Sequence, residues 1–174
     1  AKNLAAIRRH AAVSDLERQA LQDKAAPIVL LQTQGEALAA GIAPGDGKLG
    51  FMLPYTPLHS LLLTALDKPL VMTSGNLSDE PQCTDNADAK RQLAGIADYW
   101  LLHDREIANR LDDSVVREMD GEIRLLRRAR GYSPEALTLP AGFETADGIL
   151  AMGAELKNSF CVVNHGQAVV SPVS

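Results

Sequence analysis

The apolar positions of the first thirty residues change period twice. Leu4, Ile7 and Ala11 recur at helical spacing, which predicts a helix over residues 3–11. Ser14 opens Ser-Asp-Leu-Glu, a capping-box pattern, and predicts a second short helix through about Leu21. Pro27-Ile28-Val29-Leu30-Leu31 is a continuous apolar run between breakers and reads as a buried strand. A Gly- and Ala-rich stretch follows from Gly35 to Gly50, with Pro44-Gly45-Asp46-Gly47 as a turn. Leu49 to Leu53 reads as a strand stopped by Pro54, and Pro57 starts a compact helix to Leu66. Pro69-Leu70-Val71-Met72 reads as a buried strand, 87–97 as a helix capped by Thr84 or Asp85, and Asp98 to Leu102 as a further strand. Ser114 to Glu118 and Glu122 to Arg127 flank Met119-Asp120-Gly121, a hairpin pattern.

After Gly131-Tyr132-Ser133-Pro134 the character changes. Residues 134–147 carry Pro134, Pro140 and Gly142 with little periodicity and read as a linker. Strand-like runs resume at Gly148 to Met152, Ser159 to Val163 and Gln167 to Val170, with Asn164-His165-Gly166 as a turn. So few strands cannot make a stable domain alone. The pattern therefore predicts an α/β fold: most of one domain over 1–133, a linker over 134–147, and the start of a second, truncated domain over 148–174.

Composition narrows the function classes. With 46% hydrophobic residues among 174, the chain can bury a core. A net charge of -5 argues against a general nucleic-acid binder. Arg124, Arg127, Arg128 and Arg130 nevertheless crowd into a local anion-binding candidate. Cys83 and Cys161 stand far apart with no CxxC pair, so no zinc knuckle or disulfide framework is indicated, and two free thiols fit a reducing cytoplasm. No apolar run approaches the ~20 residues of a membrane helix, so no membrane role is expected. No signal-peptide pattern opens the chain. Ala1 in place of an initiator Met, and the abrupt Ser171-Pro172-Val173-Ser174 ending, read as a segment of a longer protein.

Three clusters could carry chemistry. The first is Thr73-Ser74-Gly75-Asn76-Leu77-Ser78, delivered at the carboxyl end of the strand expected at 69–72, where α/β folds bind ligands. Ser74 and Asn76 offer a hydroxyl and an amide that can donate to phosphate or hold its metal, and Gly75 permits close backbone approach. An ordinary strand-to-loop turn uses the same residues. The second is Asn109 to Arg117 with the adjacent carboxylates Asp112 and Asp113, which either orient a cationic group or cap the strand that follows. The third is Arg124 to Tyr132. Alternation puts Arg128 and Arg130 on one face and Arg127 on the other, suited to a polyanion or to a solvated basic face. His59 follows Pro54-Tyr55-Thr56-Pro57 on a helix and is either a substrate contact or structural. His103 and His165 have no metal-ligand spacing, so no protein metal site is expected. Cys161 reads as a small core residue, and Lys157 as a phosphate contact in a second nucleotide site. No residue stands out as catalytic.

Four segments read together resemble the HypF family of carbamoyltransferases from hydrogenase maturation. They are Leu49 to His59 (LGFMLPYTPLH), Pro69 to Pro81 (PLVMTSGNLSDEP), Arg110 to Arg117 (RLDDSVVR) and Leu126 to Pro134 (LRRARGYSP). The resemblance covers essentially the whole chain. It implies a YrdC-like twisted mixed sheet with flanking helices, followed from Ile149 to Val170 by the first strands of an actin-like, ASKHA-type ATP-binding domain. It implies nucleotide binding by Ser74, Asn76, Ser114, Arg128 and Arg130, with Thr73, His59 and Asp113 as substrate contacts.

The implied chemistry uses ATP and carbamoyl phosphate, with Mg²⁺. Carbamoyl adenylate forms with release of pyrophosphate, and the carbamoyl group passes to the C-terminal cysteine of the partner protein HypE. The product becomes the cyanide ligand of nickel-iron hydrogenases. The family's acylphosphatase-like and zinc-finger regions, the first half of its YrdC-like domain with a Lys/Arg element, and the metal-binding histidines of its last domain have no counterpart here. Zinc is thus expected only in an upstream region of the parent protein, and catalysis by this segment alone is expected to be incomplete. Two other readings stand beside this one. One is a YrdC-like synthase that makes a threonylcarbamoyl adenylate for tRNA modification. The other is a nucleotide- or RNA-binding module without chemistry; YrdC-like folds are associated with double-stranded RNA, but the net charge of -5 and 4% aromatic content weigh against direct nucleic-acid binding.

Overall fold

The computed structural model describes residues 1–39, 41–42, 47–143, 145–154 and 158–172. Most of the expected turn at Pro44-Gly45-Asp46, and the phosphate contact expected of Lys157, lie outside them. The chain divides into two units, one of residues 1–71 and 113–132, the other of residues 72–112 and 133–174.

In the first unit, capping chemistry sets the helix starts. Helix α1 (Leu4–Arg8) begins where the Asn3 side chain accepts the Ala6 N–H at 2.8 Å. Helix α2 (Asp15–Leu21) starts with the expected capping box: Ser14 Oγ accepts the Glu17 N–H at 3.1 Å, and Glu17 Oε2 accepts the Ser14 N–H at 2.8 Å. Helix α3 (Pro57–Thr64) is capped by Thr56, which accepts the His59 N–H at 3.1 Å, with Pro57 in the first turn. The strands are β1 (Ile28–Gln32), β2 (Lys48–Phe51), β3 (Val115–Met119) and β4 (Glu122–Arg127).

These strands form one mixed sheet of order β2-β1-β3-β4. β1 runs antiparallel to β2, with Val29 opposite Phe51 and Leu31 opposite Leu49, and parallel to β3, with Ile28 opposite Val115. β3 and β4 form the expected hairpin. Asp120 (φ 54°) and Gly121 (φ 77°) both adopt positive φ, which matches the twist of a two-residue hairpin loop. Val29, Leu31 and Val116 are fully buried and pack with Ile7, Leu21 and Phe51 into one core. Helices α1 and α2 thus cover the same sheet face that strand alternation makes apolar. Ile7 is fully buried among these partners, so Ile7→Ala is expected to lower stability by about 3 kcal/mol. Denaturant unfolding of the chain checks this; a loss near zero would mean that α1 does not close the core.

In the second unit, helix α4 (Asn86–Gln92) is capped by Asp85, whose carboxylate accepts the Ala87 and Asp88 N–H groups at 2.8 and 2.9 Å. The helix stops earlier than the apolar pattern predicts, at Leu93, and Gly95 follows in a turn. Strands β5 (Leu137–Thr138), β6 (Leu150–Met152), β7 (Phe160–Asn164) and β8 (Gln167–Val170) form an antiparallel sheet of order β5-β8-β7-β6. His165 (φ 49°) and Gly166 (φ 69°) make the β7–β8 turn. Cys161 is half-buried on β7, opposite Val170.

Two expected strands are not formed. Residues 69–72 and 98–102 have no strand structure, and Val71 and Tyr99 are 75% and 93% exposed. The physical reason is the ladder. An apolar run becomes a buried strand only beside a neighbour that takes its N–H and C=O groups. Among the described residues, no strand pairs with either run. The central strand β1 is already flanked on both sides, by β2 and β3.

Candidate functional site

The densest polar cluster of the first unit is built around Arg130. A turn at Asp23 prepares it: Asp23 accepts the Ala25 N–H through Oδ1 at 2.8 Å and the Ala26 N–H through its carbonyl at 2.9 Å. Ala26 is held at φ 45°, a left-handed conformation that costs a non-glycine residue about 1 kcal/mol. The carbonyls of Ala25 and Ala26 then accept from Arg130 Nη1 at 3.1 Å and Nη2 at 2.8 Å. Arg130 Nε donates to Asp113 Oδ1 at 2.8 Å, and Nη2 stands at the same distance from that carboxylate oxygen. The pair is largely buried, with side-chain exposures of 21% for Arg130 and 32% for Asp113. The guanidinium carbon also lies 3.6 Å from the centroid of the Tyr55 ring. His59 meets Tyr55 edge-on, with centroids 4.7 Å apart and an interplanar angle of 86°.

Ser114 anchors the strand that carries Asp113. It is fully buried; its hydroxyl donates to the Arg130 carbonyl at 3.0 Å and accepts the Ala129 N–H at 2.8 Å. Its own carbonyl accepts the Ile28 N–H at 2.8 Å, which ties the segment to the start of β1. Gly131, at φ 89°, passes so close to Ala25 that a Cβ there would lie 2.5 Å from the Ala25 carbonyl oxygen. Burial, reinforced by the Asp113 charge and opposed by Arg130, raises the Tyr55 phenol above its ordinary pKa. Burial and the Asp23 charge raise Tyr132 in the same direction, against the opposing charge of Arg128. Both phenols are therefore neutral hydrogen-bonding groups at physiological pH.

The Ser-Gly-Asn loop belongs to the second unit. Thr73 and Ser74 are exposed. The Asn76 N–H donates to the Ser74 carbonyl at 3.1 Å, and the Cys83 N–H to the Gly75 carbonyl at 2.9 Å, which folds the loop back on itself. Gly75 lies outside the left-handed region, and a Cβ on it would meet Leu93 Cδ1 at an ordinary 3.9 Å. The conformation therefore does not demand glycine there. Asn76 Nδ2 donates to the Leu77 carbonyl at 2.7 Å, while its Oδ1 is buried without a hydrogen-bond partner. An orphaned carbonyl oxygen suits a metal ion or an N–H donor better than a phosphate oxygen. Among the described residues, no three His, Cys, Asp or Glu side chains gather into a metal site. Magnesium carried on a triphosphate needs only one or two protein oxygens, and Asn76 Oδ1 fits that demand. Asp112 accepts from Gln82 Nε2 at 2.7 Å, and Arg110 Nε donates to the Gln82 carbonyl at 2.7 Å.

The residues that sequence reading singled out thus fall into two sets. Thr73, Ser74 and Asn76 share one loop of the second unit; His59, Asp113, Ser114, Arg128 and Arg130 belong to the first. Within the first, His59, Asp113, Ser114 and Arg130 join one network. Sequence reasoning left out Tyr55 and the Ala25 and Ala26 carbonyls. Tyr55 sat inside a quoted motif and could have been found there; backbone carbonyls carry no sequence signal. A cavity of about 260 Å³, lined by residues that include His10, Thr33, Glu36 and Lys48, contains none of the residues in either set. No helix among the described residues is long and apolar enough to cross a membrane.

An α/β unit with a mixed sheet and a basic segment closing on its first strand defines the class, and comparison with known families agrees. The family model Sua5_yciO_yrdC, described as "Telomere recombination", matches residues 1–129, and the chain belongs to that family. A second family model, "HypF Kae1-like domain", matches residues 144–174. Within the family the likeness is to a segment of HypF. The chain is 52% identical over 164 residues to Carbamoyltransferase HypF of Rhodobacter capsulatus, covering 94% of this chain and 22% of that protein. It is 49% identical over 170 residues to Carbamoyltransferase HypF of Synechocystis, covering 97% and 22%. A crystal structure of full-length HypF in the phosphate- and nucleotide-bound form superposes with a TM-score of 0.89 at 41% identity, over 99% of this chain and 27% of that one. The T. kodakarensis HypF structure gives 0.89 at 39% identity, over 99% and 22%. The chain therefore spans between a fifth and a third of the length of these relatives, which are carbamoyltransferases by name.

Proposed function

We propose that this chain is the part of a HypF-type carbamoyltransferase that binds ATP and carries it toward carbamoyl adenylate. In this reading residues 1–133 are the later part of the YrdC-like domain, 134–147 a linker, and 148–174 the start of the ASKHA-type domain. The parent protein takes carbamoyl phosphate and ATP and passes the carbamoyl group to the C-terminal cysteine of HypE, in the cytoplasm. The observation that carries this reading is the order of the two family matches on one chain, Sua5_yciO_yrdC over 1–129 and then HypF Kae1-like over 144–174. A free-standing YrdC-like synthase for tRNA modification has no reason to continue into the second.

The site's task is charge management. Attack on the α-phosphate concentrates negative charge, and fixed donors stabilise it better than reorganising water does. In the second unit Ser74 and Asn76 offer polar groups to phosphate. In the first unit Arg128 offers positive charge, with Ser114 and Arg130 holding its segment in place. Magnesium, when bound with ATP, offsets phosphate charge, and Asn76 Oδ1 is the oxygen offered to it.

ATP–pyrophosphate exchange in the full-length parent tests the reading. Exchange is expected with carbamoyl phosphate and not with threonine plus bicarbonate. Exchange only with threonine plus bicarbonate would sink the reading, and exchange with neither would favour a binding module. In the same assay Asn76→Ala is expected to weaken ATP binding about tenfold while the protein stays folded. Unchanged affinity in a folded variant would remove Asn76 from the site.

A further inference from the structure

The basic segment contains an arginine that is spent before any ligand arrives. Every nitrogen of the Arg130 guanidinium donates within the protein: Nε to Asp113, Nη1 to the Ala25 carbonyl and Nη2 to the Ala26 carbonyl. Its charge is matched by a carboxylate 2.8 Å away, and one face is covered by the Tyr55 ring. A guanidinium that recognises phosphate needs a free fork of donors and uncompensated charge. Arg130 has neither.

What the clamp leaves accessible is the aromatic pair. Tyr55 is 40% exposed although Arg130 lies against one ring face and His59 meets its edge. A ring held in this way has lost its rotamer freedom before binding, so a ligand group that packs on it meets a preorganised surface. Tyr55 enters this chain just after β2, and Arg130 just after β4, on opposite ends of the four-stranded order. The contact between them therefore also fixes where the β2–α3 connection sits.

We propose that Arg130 is a positioning residue rather than a phosphate ligand: clamped by Asp113 and the Ala25 and Ala26 carbonyls, it holds Tyr55, and His59 behind it, as a ligand-facing wall. The proposal rests on the reading of this region as a nucleotide and carbamoyl site, and its test separates the two. Arg130→Lys keeps the charge but loses the planar fork and the flat stack. Tyr55→Leu removes the ring that the guanidinium covers. In the full-length protein, steady-state ATP–pyrophosphate exchange with carbamoyl phosphate gives KM and kcat for each variant, with circular dichroism reporting the fold. Arg130→Lys and Tyr55→Leu are each expected to raise KM about tenfold, and the double variant no further, because both remove one unit. The salt dependence of ATP affinity in Arg130→Lys is expected to match the wild type.

Near-normal KM in Arg130→Lys, or effects of Arg130→Lys and Tyr55→Leu that multiply, would overturn the proposal. Should Arg130→Lys fail to fold, Asp113→Asn paired with Tyr55→Leu gives the same cycle with the same two outcomes. If the wild-type protein shows no exchange with carbamoyl phosphate, the functional reading fails, and calorimetric ATP affinity replaces KM in the cycle. A wild-type protein that binds no ATP overturns both.

Discussion

Gly131→Ala is expected to destabilise the first unit by about 4 kcal/mol, the largest effect of any single methyl addition in its site. Two independent costs meet at this position. The backbone stands at φ 89°, where an L side chain is strained by about 1–3 kcal/mol. The added Cβ would also lie 2.5 Å from the Ala25 carbonyl oxygen and 2.6 Å from its Cα. The obstacle is backbone, which cannot swing aside as a side chain can. Relief requires the 129–131 segment to lift from the Ala25–Ala26 turn, which breaks the Arg130 bonds to both carbonyls. The variant should therefore lose stability and the Arg130 clamp together. Denaturant unfolding, with ATP affinity measured in the full-length protein, checks both; a stable variant with full affinity would show that the close approach is dispensable. By contrast Gly121, in the β3–β4 turn, has nothing within 4 Å of its Cβ direction, so alanine there meets only the conformational cost.

Ser114→Ala is the second large effect, expected at about 2–3 kcal/mol. The hydroxyl is fully buried and works in both directions, donating to the Arg130 carbonyl and accepting from the Ala129 N–H. Alanine takes the hydroxyl partner from both backbone groups, the Ala129 N–H fully buried and the Arg130 carbonyl partly so, and their desolvation cost remains. The consequence for function is indirect. The hydroxyl is oriented by backbone, and it holds in place the segment from which Arg128 and Arg130 project. ATP affinity should fall with stability in Ser114→Ala, and Ser114→Cys should recover little, since a thiol bonds weakly. A Ser114→Ala protein of wild-type stability that has lost ATP binding would instead make the hydroxyl a direct ligand contact.

Local order was legible wherever short-range chemistry decides it. The capping box at Ser14, Pro57 in the first turn of its helix, and the Asp120-Gly121 turn were all readable, because each depends on residues within four positions of one another. The α/β class followed from the same information. The runs at 69–72 and 98–102 misled for a related reason: apolar composition records that a segment is fit to be buried, and carries no record of the neighbour that would bury it. Within the site, the motifs pointed to Asp113, Ser114 and Arg130 as residues of consequence, yet not to their division of labour.

The sequence by itself pointed to the family, to the capping box at Ser14 and to the two hairpins, and it singled out the Ser74-Gly75-Asn76 loop and the basic run ending at Arg130 as candidates. Tertiary structure alone decided what those residues touch. Arg130 looked like a phosphate ligand because a guanidinium in isolation is one. It became a clamp because Asp113 and the carbonyls of a turn about 105 positions away reach its donors first. Those carbonyls are atoms every residue possesses, so no letter in the sequence announces them, and only the packing of Gly131 against Ala25 brings them within reach.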